Sequence, residues 1–400
     1  MKILLAAASF SSELSGVQRH ALNLARCLLT RLEVSELHLI IAPWQVELVR
    51  NSRLDANPRL QLHIALMKHG AFSRNLWYYR RLPRLATQLG VDLVHLTYPV
   101  PVDARAFSCP TVVTLHDLYP YDVPSNFGVP KVIFNRLILQ QCLRSVNSIA
   151  CVSDATYRRL GLHVSQPVGQ KALRIYNCVE PDTQRPAPDL AQSPIHNWSG
   201  GTFLLCVAQH RRNKNIPFLL RVFQRLIHRG QIDPSMQLLL VGIEGPETGS
   251  IRRAIARSGL SGNVLLMEGL SEPELQWCYR NSSALLAPST IEGFGLPLVE
   301  ALLAGCPVIC SDIPAFREFG ADRCSYVPLD ARAEEAFARA IVAQLREVRG
   351  GPVPMPLLSA PVIAGQYMQL YGGLLAYAQA TQTLSFPVPE PAARPERPSL

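Results

Sequence analysis

The sequence predicts an α/β protein built from two doubly wound, Rossmann-like domains. Its 400 residues exceed the roughly 250–300 residues at which a single hydrophobic core stops growing. Short apolar runs alternate with amphipathic segments, as expected when helices connect parallel strands. This alternation stops once, at the proline-rich stretch 181–199, and then resumes. An apolar fraction of 48% with 17% charged residues is typical of a globular protein and excludes disorder for most of the chain.

The first half of the chain contains six apolar runs separated by helical patterns. Because these runs are unbroken rather than alternating, they indicate strands buried on both faces of a parallel sheet. The opening Met1–Ala8 imitates a secretion signal, but we interpret it as the first buried strand. Strands are expected at 3–8, 37–42, 60–66, 91–96, 111–115 and 148–152, with helices at 17–32, 74–89 and 132–144.

The second half repeats this organisation without detectable sequence repetition. Strands are expected at 202–207, 236–241, 263–267, 284–287, 307–310 and 324–327, with a helix at 216–229 and a last helix at 362–380. We therefore predict a first domain over 1–180, a linker over 181–200 and a second domain over 201–355. A crossover helix at 356–380 and a proline-rich tail at 381–400, expected to be disordered, complete the division.

The cysteine and charge distributions indicate the redox compartment of the protein and the charge of the surface that it faces. The ten cysteines include no CxxC pair, which favours a reducing cytosol over a disulfide framework or a zinc site. Residues 1–180 hold 20 Lys and Arg against 11 Asp and Glu, whereas residues 181–400 hold 19 of each. The excess of +9 thus belongs to the first half, which should face an anionic lipid surface or a phosphate-bearing acceptor. No apolar run reaches the length of about 18 residues that a spanning helix needs.

The segment Arg74–Arg84 joins four arginines to three consecutive aromatic residues. Such a helix suits peripheral contact with an anionic membrane. A solvated helix with its aromatic residues in the core explains the segment equally well. Nucleic acid is not indicated, because no RNA- or DNA-binding signature accompanies these residues.

The segment Ser289–Glu300 carries the strongest candidate site. A glycine-rich turn leads into a proline where a helix should begin, so unpaired amides would face a ligand. Two carboxylates flank the turn and can accept hydrogen bonds from sugar or ribose hydroxyls. A plain strand-to-helix turn would use the same residues. The candidate binding residues here are Glu292, Gly293, Phe294, Gly295, Leu296 and Glu300.

Other candidates follow strands, at the edge where open α/β sheets bind ligands. His116 and Asp117 follow the strand at 111–115, and Gly16 ends a loop that enters the first helix. The loop 209–215 is cationic and could neutralise a diphosphate. Its candidates are Arg211, Arg212 and Lys214, and the spacing does not choose between the two arginines.

These motifs resemble those of a known family. The run EGFGLPLVE at 292–300, the TLHDLYP segment at 114–120, the Lys-Asn pair at 214–215 and the turn at 175–179 are similar to retaining GT-B glycosyltransferases of family 4, the glycosyl transferases group 1. The resemblance covers roughly residues 1–345 and is most specific from 203 to 318. It implies two domains that face each other across a cleft, with the last helix crossing back to the first domain.

The resemblance also implies an enzyme and roles for its residues. A hexose would move from a nucleotide sugar to an acceptor with retention at the anomeric carbon. Glu292 and His116 would contact the donor sugar, Glu300 the ribose, Glu268 the base and Gly16 the diphosphate. Arg211, Arg212 and Lys214 would neutralise the leaving group, and no metal is expected because the sequence contains no DxD motif.

The resemblance leaves the substrates open. The HDLYP segment is similar to that of mannosyl-transferring relatives, which favours GDP-mannose as the donor, with a UDP-sugar as the runner-up and no cofactor. The acceptor is expected to be a glycan or lipid-linked intermediate of surface polysaccharide biosynthesis, and the enzyme cytoplasmic, possibly peripheral on the inner face of the plasma membrane. A nucleotide-sugar epimerase of the same architecture or a catalytically silent partner subunit remains an alternative. A dehydrogenase would need a GxGxxG fingerprint, which is absent.

Overall fold

A computed structural model describes residues 1–9, 12, 15–180, 193, 195, 198 and 200–383. The predicted linker at 181–200 lies almost entirely outside these residues. The predicted tail at 381–400 lies outside them as well, except that its first three residues continue the last helix. The chain forms two parallel sheets, and we refer to residues 1–180 as the first lobe and to 200–358 as the second lobe.

The first lobe contains a seven-stranded parallel sheet in the order β3-β2-β1-β4-β5-β6-β7. Strand β1 is central, and its Leu4 pairs with His38 on one side and Val94 on the other. The strands are β1 Lys2–Ala6, β2 Glu36–Ile41, β3 Leu60–Ile64, β4 Leu93–Leu96, β5 Thr111–Leu115, β6 Ser148–Cys151 and β7 Ala172–Arg174. The edge strand β7 was not predicted, because three residues with a terminal arginine make no apolar run.

Helices cover both faces of this sheet. Helix α1 and the last helix pack on one face, whereas α3 and α5 pack on the other. The helices of the first lobe are α1 Gly16–Leu29, α2 Val46–Ser52, α3 Ala71–Leu89, α4 Tyr119–Asp122, α5 Val129–Ser145, α6 Asp154–Gly161 and α7 Gln166–Gly169.

The second lobe contains a six-stranded parallel sheet in the order β10-β9-β8-β11-β12-β13. Its strands are β8 Phe203–Val207, β9 Gln237–Val241, β10 Val264–Met267, β11 Ala284–Ala287, β12 Val308–Ser311 and β13 Cys324–Val327. Its helices are α8 Ile216–His228, α9 Thr248–Arg257, α10 Glu272–Asn281, α11 Leu296–Leu303, α12 Pro314–Gly320 and α13 Ala333–Gln344. All strands predicted in both halves are present, with ends shifted by at most two residues.

Helix α14, Ala360–Thr383, returns from the second lobe to the first. Its Ile363, Ala364 and Tyr367 are fully buried against α1 and β1. Tyr371 of the same helix places its hydroxyl 2.5 Å from Nδ1 of His95 in β4. The predicted crossover of the last helix is therefore confirmed. No helix in the described ranges has both the length and the apolar character needed to cross a bilayer.

Candidate active site

A cavity of about 370 Å³ lies between the lobes, where the carboxyl ends of both sheets meet. In parallel α/β sheets this edge gathers residues that are far apart in sequence. Most of the predicted site residues line this cavity: Gly16, His116, Arg211, Lys214, Glu292, Gly293, Phe294, Gly295, Leu296 and Glu300. Glu268 and Arg212 do not line it.

The turn before α11 shows why the sequence needs glycine there. Gly295 has φ +90, a left-handed conformation that L side chains rarely adopt, and a Cβ there would lie 2.9 Å from the ring of Phe316. Helix α11 begins at Leu296, with Pro297 in its first turn. Glu300 therefore lies in the second turn of the helix. This is one residue deeper than a helix starting at Pro297 would give, because the helix starts directly after the left-handed Gly295.

Glu292 is held by donors from both lobes. Its Oε1 lies 2.5 Å from Nζ of Lys214 and accepts a hydrogen bond of 2.7 Å from the hydroxyl of Ser289. Its Oε2 accepts a bond of 3.2 Å from the hydroxyl of Tyr119, which belongs to the first lobe. The carboxylate is thus fixed in direction before any ligand binds.

Glu300 is buried and meets a cation from the opposite lobe. Its Oε1 lies 2.5 Å from Nη1 of Arg19 in α1, and its Oε2 accepts a bond of 2.8 Å from the hydroxyl of Tyr279. Nη2 of Arg19 also lies 3.0 Å from Glu272. Burial raises the pKa of Glu300, whereas Arg19 acts to lower it. Sequence analysis missed Arg19, because an arginine inside an amphipathic helix carries no motif.

His116 is neutral and holds one defined tautomer. Its Nε2 lies 2.8 Å from the carbonyl oxygen of Thr97, and because a carbonyl only accepts, Nε2 carries the proton. Burial lowers the pKa of His116 to about 4. Asp117, whose pKa burial raises to about 6, accepts a hydrogen bond of 3.0 Å from the amide of Tyr119. Asp117 thus caps the loop that follows the strand.

The structure separates the two arginines that the sequence left equivalent. Arg211 lines the cavity beside Lys214, whereas the side chain of Arg212 is exposed. The amide of Arg212 instead donates to Oδ1 of Asn126 in the first lobe, at 3.1 Å. At the end of β10, Gly269 and Leu270 line the cavity in place of Glu268.

A larger cavity of about 660 Å³ adjoins the first one. Helices α1 and α2 form one of its walls and α10 forms the opposite wall. The two cavities share the lining residues Arg19, Gly269, Leu270 and Glu300. The Arg19–Glu300 pair therefore stands at the junction of two connected spaces.

Family models match nearly the whole of both lobes. Residues 14–183 match the model described as Glycosyltransferase Family 4, and residues 191–347 match Glycosyl transferases group 1. The chain belongs to the GT-B glycosyltransferases. It is therefore a transferase.

Curated and solved proteins resemble this glycosyltransferase over most of its length. O-antigen chain mannosyltransferase B of Escherichia coli is 25% identical over 80% of this chain and 85% of the relative. Phosphatidyl-myo-inositol mannosyltransferase of Mycobacterium tuberculosis is 25% identical over 89% of this chain and 92% of the relative.

The solved structures share the fold at lower identity. Sucrose-phosphate synthase from Thermosynechococcus elongatus has a TM-score of 0.68 at 18% identity, covering 94% of this chain and 99% of that chain. Anabaena HepE, in complex with UDP and glucose, has a TM-score of 0.61 at 17% identity, covering 96% and 99%. The predicted GT-B fold is confirmed.

In this glycosyltransferase the two halves of the site touch directly. A Cβ on Gly293 would overlap the carbonyl oxygen of His116, so only glycine permits this approach. The hydroxyl of Ser153, at the start of α6, donates to the carbonyl oxygen of Gly293. The hydroxyl of Thr156 lies 3.1 Å from the same oxygen and 3.2 Å from that of His116. The first lobe thus holds the turn before α11 at a fixed distance from His116.

A second contact at α6 reinforces this arrangement. Glu318 of α12 accepts hydrogen bonds of 2.6 Å and 3.1 Å from the backbone amides of Asp154 and Ala155, the first two residues of α6. These are helix N-terminal amides without a partner in their own helix, so a carboxylate from the other lobe completes the cap. Ser153 caps α6 from its own lobe by accepting from the amide of Thr156, whereas Glu318 caps it from the other lobe. Their joint contact across the lobes carries no local signal.

Proposed function

We propose that this glycosyltransferase moves a hexose, mannose in the first instance, from a nucleotide sugar to a glycan or lipid-linked acceptor with retention at the anomeric carbon. The observation that supports this most is the joint presentation of Lys214, Glu292, Glu300 and His116 to one cavity from two lobes. Such a cavity offers acceptors for hydroxyls beside cations for a diphosphate.

In the proposed reaction the bond between the anomeric carbon and the diphosphate oxygen breaks. The acceptor oxygen forms its bond to that carbon on the same face, and its proton passes to a leaving phosphate oxygen. Arg211 and Lys214 neutralise the charge that develops on the diphosphate, and the N-terminus of α1 at Gly16 adds a partial positive charge. Both lobes contribute, so the groups are in place before the bond breaks.

The surroundings of Glu292 support a binding role. Lys214, Ser289 and Tyr119 hold both of its oxygens, which leaves the carboxylate suited to orienting a sugar hydroxyl. An anion already paired with an ammonium group is a weaker nucleophile. We therefore favour attack assisted by the leaving phosphate over a covalent intermediate on Glu292.

GDP-mannose is the proposed donor. Mannosyltransferases among the similar proteins support mannose, including O-antigen chain mannosyltransferase B. A UDP-sugar is the second candidate, because the fold relative Anabaena HepE was solved with UDP-glucose. In either case Glu300 would accept from the ribose, and the larger cavity beyond it offers room for the base.

The proposed acceptor belongs to surface polysaccharide biosynthesis, as with the O-antigen enzyme that this chain resembles. We propose a cytoplasmic protein in peripheral contact with anionic lipid through Arg74–Arg84. Support comes from the exposure of Arg80, Arg81 and Arg84 on α3, a helix without acidic residues.

Purified protein would test the donor directly. Thermal unfolding with GDP, UDP, GDP-mannose and UDP-glucose should show the largest rise in midpoint for the GDP ligands. Release of nucleoside diphosphate would then be measured with alkyl and polyprenyl-linked glycosides, and the product's anomeric configuration by proton NMR. A product with the inverted anomeric configuration would refute retention. Release of UDP and not GDP would identify a UDP-sugar as the donor. An epimerase would convert its nucleotide sugar without any acceptor.

A further inference from the structure

Helix α5 exposes an apolar stripe that none of the described residues covers. Val129, Ile133 and Leu137 are 77%, 57% and 63% exposed, and Phe134 is 49% exposed. Spacings of three and four residues place these side chains on one face of the helix. A surface helix normally turns polar residues outward, so a helix that is apolar on both faces indicates a contact beyond the chain.

The inward face of α5 is fully used by the first lobe. Leu139, Cys142 and Leu143 are buried in the core beneath the sheet. Gln140 and Gln141 donate to groups of the first lobe, at His163 and Val102 respectively. The core side chains of α5 thus face inward as expected, so the exposed stripe does not result from a rotation of the helix about its axis.

Helix α3 lies against the same face of the sheet as α5. Tyr78, Leu82 and Ala86 of α3 belong to the core cluster that also holds the buried residues of α5. At the edge of its buried face α3 carries Phe72, which is 81% exposed, and Tyr79, which is 47% exposed. The two helices thus present apolar side chains on one side of the lobe.

The charges of the two helices have one sign. Neither α3 nor α5 contains an Asp or a Glu. Their exposed basic residues are Arg80, Arg81, Arg84, Lys131 and Arg144. Exposed apolar side chains together with these cations complement anionic headgroups above acyl chains.

The stripe begins close to the cleft. Val129 follows Asn126 by three residues, and the side chain of Asn126 donates to Oδ1 of Asn213 at 3.0 Å across the lobes. A helix of this length spans about 25 Å. An acceptor anchored in a lipid surface under α5 would therefore meet the protein at the mouth of the cavity.

We infer that α5 inserts into a lipid surface, with its apolar stripe among the acyl chains and the arginines of α3 on anionic headgroups. This rests on the proposed function in that it names the surface from which a lipid-linked acceptor is taken. It adds to the proposed contact of α3 a second helix whose contribution is apolar. The two contributions differ in their response to salt, because about 1 M salt reduces the screening length to about 3 Å.

Vesicle co-sedimentation of the full chain tests the inference without any nucleotide sugar. Vesicles would contain phosphatidylcholine alone or mixed with phosphatidylglycerol. The variant Ile133→Asp with Leu137→Asp should bind mixed vesicles at least about tenfold more weakly than the unchanged protein, at low and at high salt. Replacing Arg80, Arg81 and Arg84 by Ala should cost about fivefold for each arginine at low salt and little at high salt.

Leu32→Asp is the matched control. Leu32 is 90% exposed and follows α1, which packs on the opposite face of the sheet, so this change should leave vesicle binding intact. All replaced residues are exposed, so the variants should fold, which circular dichroism would verify.

Several outcomes would overturn the inference. The first is vesicle binding by the α5 variant that equals that of the unchanged protein. The second is a loss of binding in the Leu32 variant as large as that in the α5 variant. The third is the absence of vesicle binding by the unchanged protein. A change of oligomeric state in the α5 variant, seen by sedimentation velocity without a change in vesicle binding, would assign the stripe to contact between copies. Failure of sugar transfer alone would bear on the proposed function and leave the vesicle result standing.

Discussion

Arg19 and Glu300 form an ion pair of 2.5 Å between α1 of the first lobe and α11 of the second lobe. Glu300 is 7% exposed, and its second oxygen accepts from Tyr279. A carboxylate with this little water requires a partner to remain charged. The contact between the lobes therefore supplies the cation that keeps the carboxylate of Glu300, the residue proposed to bind the ribose, ionised.

Removing this cation should weaken both stability and nucleotide binding. Arg19→Ala leaves Glu300 buried with only a neutral donor, so the free energy of unfolding should fall by about 1–3 kcal/mol. The pKa of Glu300 should rise further, and nucleotide affinity should fall as the pH is lowered. Calorimetric titration with GDP and UDP, with thermal unfolding, measures both effects. Arg339→Ala, which removes an exposed pair with Glu335 on α13 away from both cavities, should leave both nearly unchanged.

Removing the pair at Glu292 should reduce turnover more than folding. Lys214→Ala and Glu292→Gln each remove a group aimed into the cavity, and the loss in turnover should be on the order of 10²–10³. Initial rates at saturating donor would measure it. The control is Arg221→Ala, whose exposed pair with Glu334 should contribute about 0–1 kcal/mol to stability and nothing to rate. Unchanged rates after both substitutions would contradict the proposed function.

Gly293→Ala should disrupt the close contact between the two lobes at His116. The added Cβ overlaps the carbonyl oxygen of His116, so packing must be lost at a cost of about 1–3 kcal/mol. Small-angle scattering should show a larger radius of gyration, and activity should be lost. Gly262→Ala provides the matched control, because a Cβ there meets nothing within 4 Å. A Gly293→Ala protein with unchanged activity would show that this contact does not position the site.

Glu318→Ala should loosen the contact at α6. The amides of Asp154 and Ala155 lose their acceptor, and hydrogen exchange at these two amides should accelerate. Losing a cap should lower the free energy of unfolding by about 0.5–2 kcal/mol. Asp312→Ala removes an exposed carboxylate paired with Arg317 and should not affect exchange at α6. If hydrogen exchange at these two amides were equally fast in the wild type and in Glu318→Ala, another group would be their acceptor.

Stability should fall as the pH is lowered from about 7 to about 4. Burial lowers the pKa of His95 to about 3 and that of His116 to about 4, from an ordinary value near 6.5. Between these values the unfolded chain binds more protons, so acid favours unfolding. Asp117, with its pKa raised to about 6, and Glu300, whose pKa burial also raises, act in the opposite sense but are outnumbered by the histidines. His20, whose pKa burial also lowers, adds to the histidine effect.

Urea unfolding at pH 7 and pH 5 would measure this dependence. His95→Gln removes one titrating group and should reduce the difference between the two pH values by about 2 kcal/mol, because only the interval from about pH 6.5 to pH 5 contributes, at about 1.4 kcal/mol per pH unit. His228→Gln, at the exposed end of α8, should leave the difference unchanged. A protein equally stable at both pH values would contradict the assignment of neutral buried histidines.

Local patterns explain what could be predicted. Unbroken apolar runs gave the strands, and the start of α11 followed from glycine and proline to within one residue. Residues at strand ends, such as His116 and Lys214, could be placed at one edge because parallel sheets gather their carboxyl ends there. Helix ends were less accurate, since polar capping residues extend or shorten a helix without altering its apolar face.

Pairs across the lobes could not be predicted. Arg19 and Glu300 are 281 residues apart, and Tyr119 and Glu292 are 173 apart. Arg211 and Arg212 are neighbours with the same chemistry, and only the path of their loop turns one into the cavity. The exposed stripe of α5 was likewise invisible, because an apolar residue in the sequence does not state whether its side of the helix is covered.

The sequence alone determined the two parallel sheets, the glycine turn before α11 and the kinds of group available for binding a sugar and a diphosphate. These follow from interactions between residues close in the chain, which spacing and residue type record. The tertiary structure alone decided which of these groups meet, that Arg19 pairs with Glu300, and that Glu318 caps a helix of the other lobe. Such contacts depend on how two independently formed sheets face each other, and no local pattern records that orientation.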